Sequence, residues 1–140
     1  MANADDIIRH PVEIPLEIKA MDVAVDSLRT HKLVGCVQLT FHFPMMIAVG
    51  VLLTVSIPSI NAQEELHGQV SSLSQSKHGF MIGMSFQSEQ EAFRMRMLEQ
   101  LCHIEEYRQR TLLSEGRLLS QDQAASEWID QYAAAFPMLS

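Results

Sequence analysis

The residues best suited to metal chemistry lie near residue 100. His103 follows Glu99 by four residues and precedes Glu106 by three, so one face of a helix would carry all three. Metal sites use such spacings, but no second Glu-x-x-His element completes a ligand set. The alternative is that the three residues form the solvent-facing side of an amphipathic helix. We favour this alternative, and we therefore predict no metal site.

The sequence contains few residues in patterns typical of nucleophilic catalysis or phosphate binding. Cys102 lies at helical spacing from Met95 and Leu98, which favours a small core residue over a nucleophile. Cys36, the second cysteine, lies within a predicted strand, and two cysteines are too few for a disulfide scaffold. The chain contains no Gly-x-Ser-x-Gly elbow, no glycine-rich phosphate loop and no His-Glu-x-x-His. We predict that the protein is not an enzyme and has no cofactor.

Charge and hydropathy exclude further classes of protein. Seventeen acidic residues against ten basic ones give a formal charge of -7, which argues against a nucleic-acid partner. The most apolar stretch, MMIAVGVLLTVSI, is shorter than the roughly twenty residues that a membrane helix needs. The first residues, MANADDIIRH, contain no apolar run typical of a signal peptide. We expect a cytoplasmic protein without membrane insertion.

The first part of the chain alternates between apolar and polar residues, as β-strands do. The clearest alternations are at 12–18, 36–43, 51–57 and 80–86, with a weaker one around Leu66 to Val70 and another at Val23 and Val25. Several short strands joined by polar turns predict a six-stranded antiparallel sheet that closes into a small barrel over residues 1–87. Phe41, Val55, Ile82 and Met84 should then be buried.

After Phe86 the period becomes helical and remains so in an extension at 88–140. Ser88 with Glu91, and Ser120 with Gln123, have the spacing of capping boxes. They predict a helix over 89–113 and a second helix that ends before Pro137. The predicted apolar stripes are Phe93, Met97, Leu101 and Ile104 on the first helix, and Trp128, Ile129, Tyr132 and Phe136 on the second. The aromatic residues Trp128, Tyr132 and Phe136 are a candidate interaction surface, on the barrel or between two copies in a dimer.

Three segments carry a resemblance to a known family. IIRHPVEIPLEI, HGFMIGMSF and the tail beginning FRMRMLEQLCHIEEYRQR resemble the PilZ domain family of bacterial cyclic di-GMP receptors. The tail is similar to the helical extension of short PilZ proteins from gammaproteobacteria. The resemblance implies a six-stranded PilZ-like β-barrel with C-terminal helices and a role in cyclic di-GMP signalling.

The ligand signatures of that family are incomplete in this chain. Of the Arg-x-x-x-Arg signature only Arg9 is present, with Asp5 and Glu13 at the positions four residues away. The Asp/Asn-x-Ser-x-x-Gly signature falls on LVGCVQ, which matches none of its three defining positions. The resemblance implies Arg9 and His10 as candidate ligand contacts. Because the second guanidinium is missing, we expect weak or undetectable binding of cyclic di-GMP.

Three functional hypotheses remain. The first is a non-enzymatic PilZ-type regulatory or adaptor protein in cyclic di-GMP signalling. The second is a ligand-independent interaction module that binds an unidentified protein partner, or a second copy, through its tail helices. The third is a small metal protein or enzyme built on Glu99, His103 and Glu106.

Overall fold

The structure, a computed structural model, describes residues 7–20 and 34–136, with side chains from Val37 onward in the second range. The strands are β1 (Ile7–Arg9), β2 (Glu17–Ala20), β3 (Val34–Phe43), β4 (Leu52–Ile57), β5 (Ala62–Ser76) and β6 (Gly79–Phe86). The helices are α1 (Pro58–Asn61), α2 (Glu89–Glu115) and α3 (Gln121–Tyr132), and a 3₁₀ turn (Ala133–Ala135) follows α3. The predicted order of strands first and long helices last is confirmed.

All six strands form one sheet in the order β1-β3-β6-β5-β4-β2. Every pairing is antiparallel except that of β1 with β3, in which Ile8 lies opposite Leu39 in parallel register. The sheet is open, so the predicted closed barrel is wrong. Closure would require β1 to pair with β2, and these two strands lie at opposite edges of the sheet without pairing.

The predicted strand at 12–18 is also largely replaced by a turn. Ile14 donates its N–H to the carbonyl of Pro11 (3.1 Å), and strand structure begins only at Glu17. Alternation would place Val12 and Ile14 on the same face of a strand. Instead, Val12 is 74% exposed and Ile14 is 2% exposed. The predicted strand at Val23 and Val25 lies outside the described residues.

The core lies between the sheet and the two long helices. Phe41, Val55, Ile82 and Met84 are each at most 2% exposed, which confirms the core predicted from the strand patterns. The same cluster of buried side chains continues into the helices. The helical residues of this cluster are Ala92, Met95, Leu98, Cys102, Tyr107, Ala124 and Trp128.

Helix α2 packs on the sheet through a different face from the one predicted. The predicted apolar stripe is largely exposed, with Phe93, Met97 and Leu101 at 53%, 44% and 49%. The buried face instead carries Met95, Leu98, Glu99 and Cys102, together with Ala92. Because α2 has apolar residues on both sides, its periodicity cannot show which side contacts the sheet.

The helix ends follow the capping rules that the sequence contains. The Ser88 hydroxyl accepts from the Glu91 N–H at the start of α2, although the Glu91 carboxylate accepts from His67 N–H instead of returning to the cap. Ser120 and Gln123 form the complete reciprocal box at the start of α3. Gly116 ends α2 in the left-handed region, at φ 68°. None of the helices in the described ranges has an apolar stretch long enough to cross a membrane.

Candidate functional site

A buried histidine and glutamate join the edge of the sheet to helix α2. His10 directly follows β1, and its Nδ1 lies 2.7 Å from Oε2 of Glu99. The side chains are 3% and 0% exposed, so Glu99 is not on the solvent-facing side of α2 as predicted. The other ring nitrogen, Nε2, lies 2.6 Å from the carbonyl oxygen of Ile14. The imidazole thus links the edge strand, the turn after it and the helix.

The surroundings of His10 favour its protonated form. Burial alone lowers the pKa of His10, and it is the largest single influence. The hydrogen bond to Glu99, the charge of Glu99 and the Ile14 carbonyl together outweigh burial, so the pKa of His10 is raised. Both ring nitrogens face acceptor oxygens, which fits an imidazolium paired with a carboxylate.

The Cys102 thiol lies beside this pair. Burial raises the pKa of Cys102, and the negative charge of Glu99 raises it further. Burial and the charge of Glu99 therefore hold the thiol in its protonated, unreactive form, even with the His10 ring nearby. The prediction that Cys102 is a core residue is confirmed, since it is 0% exposed.

A second histidine connects β1 to the end of the chain. His103 Nε2 donates to the carbonyl oxygen of Arg9 at 2.9 Å. The His103 ring also lies edge-on to Phe136, at 5.3 Å between centroids, and 6.3 Å from the Trp128 ring. His103 therefore fixes the relative positions of β1, α2 and α3.

These contacts frame a cleft of about 320 Å³ between β1 and the C-terminal helices, which we call the β1–helix cleft. Arg9 lines it from β1 and Arg110 from α2. Arg110 donates to Glu106 at 3.4 Å, and its guanidinium lies 5.7 Å from the centroid of Tyr107. The Arg9 side chain has no ion-pair partner among residues 7–20 and 34–136. The cleft thus combines two guanidinium groups with one carboxylate.

The remaining wall of the cleft is aromatic. Its lining includes Trp128, Tyr132 and Phe136, the three residues predicted to form an interaction surface. Trp128 and Phe136 are 5% and 8% exposed, and only Tyr132 is substantially open, at 40%. The structure therefore brings Arg9 together with the aromatic residues of the tail. It places the side chain of His10 elsewhere, in the interior against Glu99.

Two contributions to the site could not be found from sequence patterns. Arg110 belongs to none of the ligand motifs considered in the sequence, and it forms an ion pair with Glu106 at 3.4 Å. The partnership of His10 with Glu99 joins residues 89 positions apart, and no local spacing signals it. Among the described residues, the group of potential metal ligands whose ligand atoms lie within 4.8 Å of one another consists of His10, Glu99 and Cys102. The group considered from the sequence, Glu99, His103 and Glu106, does not meet this criterion.

Comparison of the chain with protein-family models, with curated proteins and with solved structures finds no match.

Replacing Trp128 by alanine should destabilise the protein strongly. The ring is 5% exposed and lies 5.5 Å from the Phe136 ring, so its removal leaves a cavity between α3 and the rest of the core. We expect the free energy of unfolding in urea to fall by about 3 to 5 kcal/mol. The control is Ile129→Ala on the same helix, at a residue that is 54% exposed, which should cost less than about 1 kcal/mol. Equal losses for the two variants would contradict the observed packing.

The raised pKa of His10 predicts a pH-dependent stability. The folded chain holds the His10 proton more tightly than the unfolded chain, so the pair stabilises fully below the ordinary pKa of 6.5. This contribution is lost as the pH rises through the folded pKa. We expect the difference in unfolding free energy between the unchanged protein and His10→Gln, measured with a chelator present, to shrink from about pH 6 to about pH 9.

The control for this measurement is His78→Gln, at an exposed histidine in the turn between β5 and β6. The difference in unfolding free energy between the unchanged protein and His78→Gln should not shrink over this pH range. A difference for His10→Gln that is constant, or that grows with pH, would show that the pair does not hold a proton in the folded chain.

Proposed function

We propose that the protein is a non-enzymatic regulatory or adaptor module of cyclic di-GMP signalling, and that the β1–helix cleft receives the nucleotide. The observation that carries this proposal is the convergence of Arg9 and Arg110 beside the rings of Trp128, Tyr132 and Phe136. The family signature requires two arginines near the first strand, and the sequence there contains one. Helix α2 supplies a second guanidinium from a distant part of the chain.

The chemistry of the cleft suits a guanine nucleotide. Guanidinium groups bind phosphate oxygens through paired, charge-assisted hydrogen bonds. Tyr132, the exposed ring of the aromatic wall, can contact a purine ring. The Glu106 carboxylate, which also lines the cleft, is an acceptor for the N–H groups on the edge of guanine. These groups occur in the cleft together with the exposed cation of Arg9.

The size and charge of the cleft support low affinity. At about 320 Å³ it lies near the lower end of small-molecule sites and suits one base with its phosphate. Arg110 already donates to Glu106, so binding a phosphate through Arg110 means loosening that contact. The chain also carries a net charge of -7, which opposes the approach of an anion.

A specific observation also favours the second function, a ligand-independent interaction module. Phe93, Met97 and Leu101 follow one another by four residues on α2 and are 53%, 44% and 49% exposed. We call them the outer stripe. The partner we propose for it is a second copy of this chain, because two identical apolar stripes can pack symmetrically about a two-fold axis. The aromatic residues Trp128 and Phe136 are buried within one chain, so they are not available for such a contact.

Calorimetric titration with cyclic di-GMP tests the first function. We expect a dissociation constant weaker than about 10 μM, and loss of detectable binding in Arg9→Ala and in Arg110→Ala. Each variant removes one guanidinium from the cleft. The control is Lys19→Ala, which removes one exposed positive charge from β2, outside the residues that line the cleft.

Two outcomes would contradict the proposed nucleotide site. One is the absence of heat at millimolar nucleotide with protein that is shown to be folded. The other is tight binding that persists in Arg9→Ala, since the contacts would then come from other residues.

The second function predicts a dimer that depends on the outer stripe. Light scattering should give twice the mass of the chain at high protein concentration, and Met97→Asp should shift it to the monomer. Leu113→Asp is the matched control, because Leu113 is 88% exposed on the same helix but faces away from the stripe. A monomer at high concentration, or equal effects of the two substitutions, would contradict this interface.

A further inference from the structure

We propose that His10, Glu99 and Cys102 form a binding site for a zinc-type divalent transition metal ion. Their ligand atoms, one nitrogen, one carboxylate oxygen and one sulfur, all lie within 4.8 Å of one another. All three residues are buried. The site therefore joins the end of β1 to the inner face of α2, apart from the β1–helix cleft.

An unpaired oxygen within the cluster points to a missing ligand. Oε1 of Glu99 is buried and accepts no hydrogen bond, while Oε2 is occupied by His10. The nearest nitrogen of His103 is 4.0 Å from Oε1, too far for a hydrogen bond. A buried carboxylate oxygen without a partner keeps the full cost of its lost hydration. A bound cation would satisfy this oxygen.

The histidine is oriented as metal ligands usually are. Metal-binding imidazoles typically donate the second ring N–H to a backbone carbonyl, which fixes the ring and its tautomer. Nε2 of His10 makes this contact with the Ile14 carbonyl at 2.6 Å, so Nδ1 is directed at the cluster. Nδ1 and Oε2 are 2.7 Å apart around a shared proton, and a metal ion would take the place of that proton.

The donor set determines the class of metal. A thiolate and an imidazole with one carboxylate favour Zn²⁺ and its chemical neighbours over Mg²⁺ and Ca²⁺, which prefer oxygen ligands. Binding releases two protons to the solvent, one from the His10–Glu99 pair and one from the Cys102 thiol. With Glu99 bound through both carboxylate oxygens, the three residues leave one further position for water.

An open cavity lies on the His10 side of the cluster. A cavity of about 250 Å³ reaches His10 from the side of the turn that follows β1. Ile14 and Leu16 line it on one side and Phe41 and Phe43 on the other. Glu99 and Cys102 do not line this cavity, so an ion that enters through it meets the His10 ring first.

Titration of the full chain with Co²⁺, a spectroscopic substitute for Zn²⁺, tests the proposal. We expect one equivalent to produce a near-ultraviolet thiolate-to-cobalt charge-transfer absorption that Zn²⁺ abolishes and Mg²⁺ does not. Cys102→Ser should remove this absorption, and His10→Gln should weaken binding at least tenfold. The matched controls are Cys36→Ser and His78→Gln, which should leave the spectrum and the affinity unchanged.

Circular dichroism first establishes that each variant is folded, and the unchanged protein provides a test that needs no variant. Its thermal midpoint should rise with Zn²⁺ and not with Mg²⁺. Absence of a charge-transfer absorption in the folded, unchanged protein at millimolar Co²⁺ would overturn the proposal. So would an absorption that survives in Cys102→Ser or disappears in Cys36→Ser.

Discussion

The hydrogen-bonded pair of His10 and Glu99 is the interaction on which the rest of the arrangement depends. Two ionisable groups lose their hydration in the interior, and their direct contact at 2.7 Å, with the bond from His10 to the Ile14 carbonyl, compensates for that loss. The contact holds the end of β1 against the middle of α2. The neighbouring bond from His103 to the Arg9 carbonyl then places the Arg9 residue beside the C-terminal helices. Both the β1–helix cleft and the proposed metal site lie on this junction.

The open edges of the sheet explain why β1 is held by the polar contact between His10 and Glu99. β1 has three residues and pairs only with β3, and β2 has four residues and pairs only with β4. Short edge strands gain little from ladder hydrogen bonds, and these two do not pair with each other. Contacts with α2 therefore contribute to holding β1 in place. Since α3 packs on α2 through Trp128 and Phe136, the end of the chain is tied to the start of the sheet.

Local patterns predicted much of this fold but little of the site. Alternation in 36–43, 51–57 and 80–86, and the serine caps at Ser88 and Ser120, depend only on neighbours in the chain, and the structure follows them. Closure of the barrel depends on whether two edge strands meet, which no single segment encodes. The inner face of α2 could not be chosen either, because it buries the charged Glu99 and exposes Phe93. The hydrogen bond from the distant His10 offsets the burial of Glu99 on that face.

The most direct test of this account is a double-mutant cycle between His10 and Glu99, with His10→Phe and Glu99→Met as apolar replacements of similar size. Each single replacement leaves the other group buried without its partner, and it should lower the free energy of unfolding by about 3 to 5 kcal/mol. The double replacement removes both groups, so it should cost less than the sum of the single replacements. The account predicts a coupling free energy of about 2 to 3 kcal/mol in urea unfolding. Additivity of the two replacements within about 0.5 kcal/mol would contradict it.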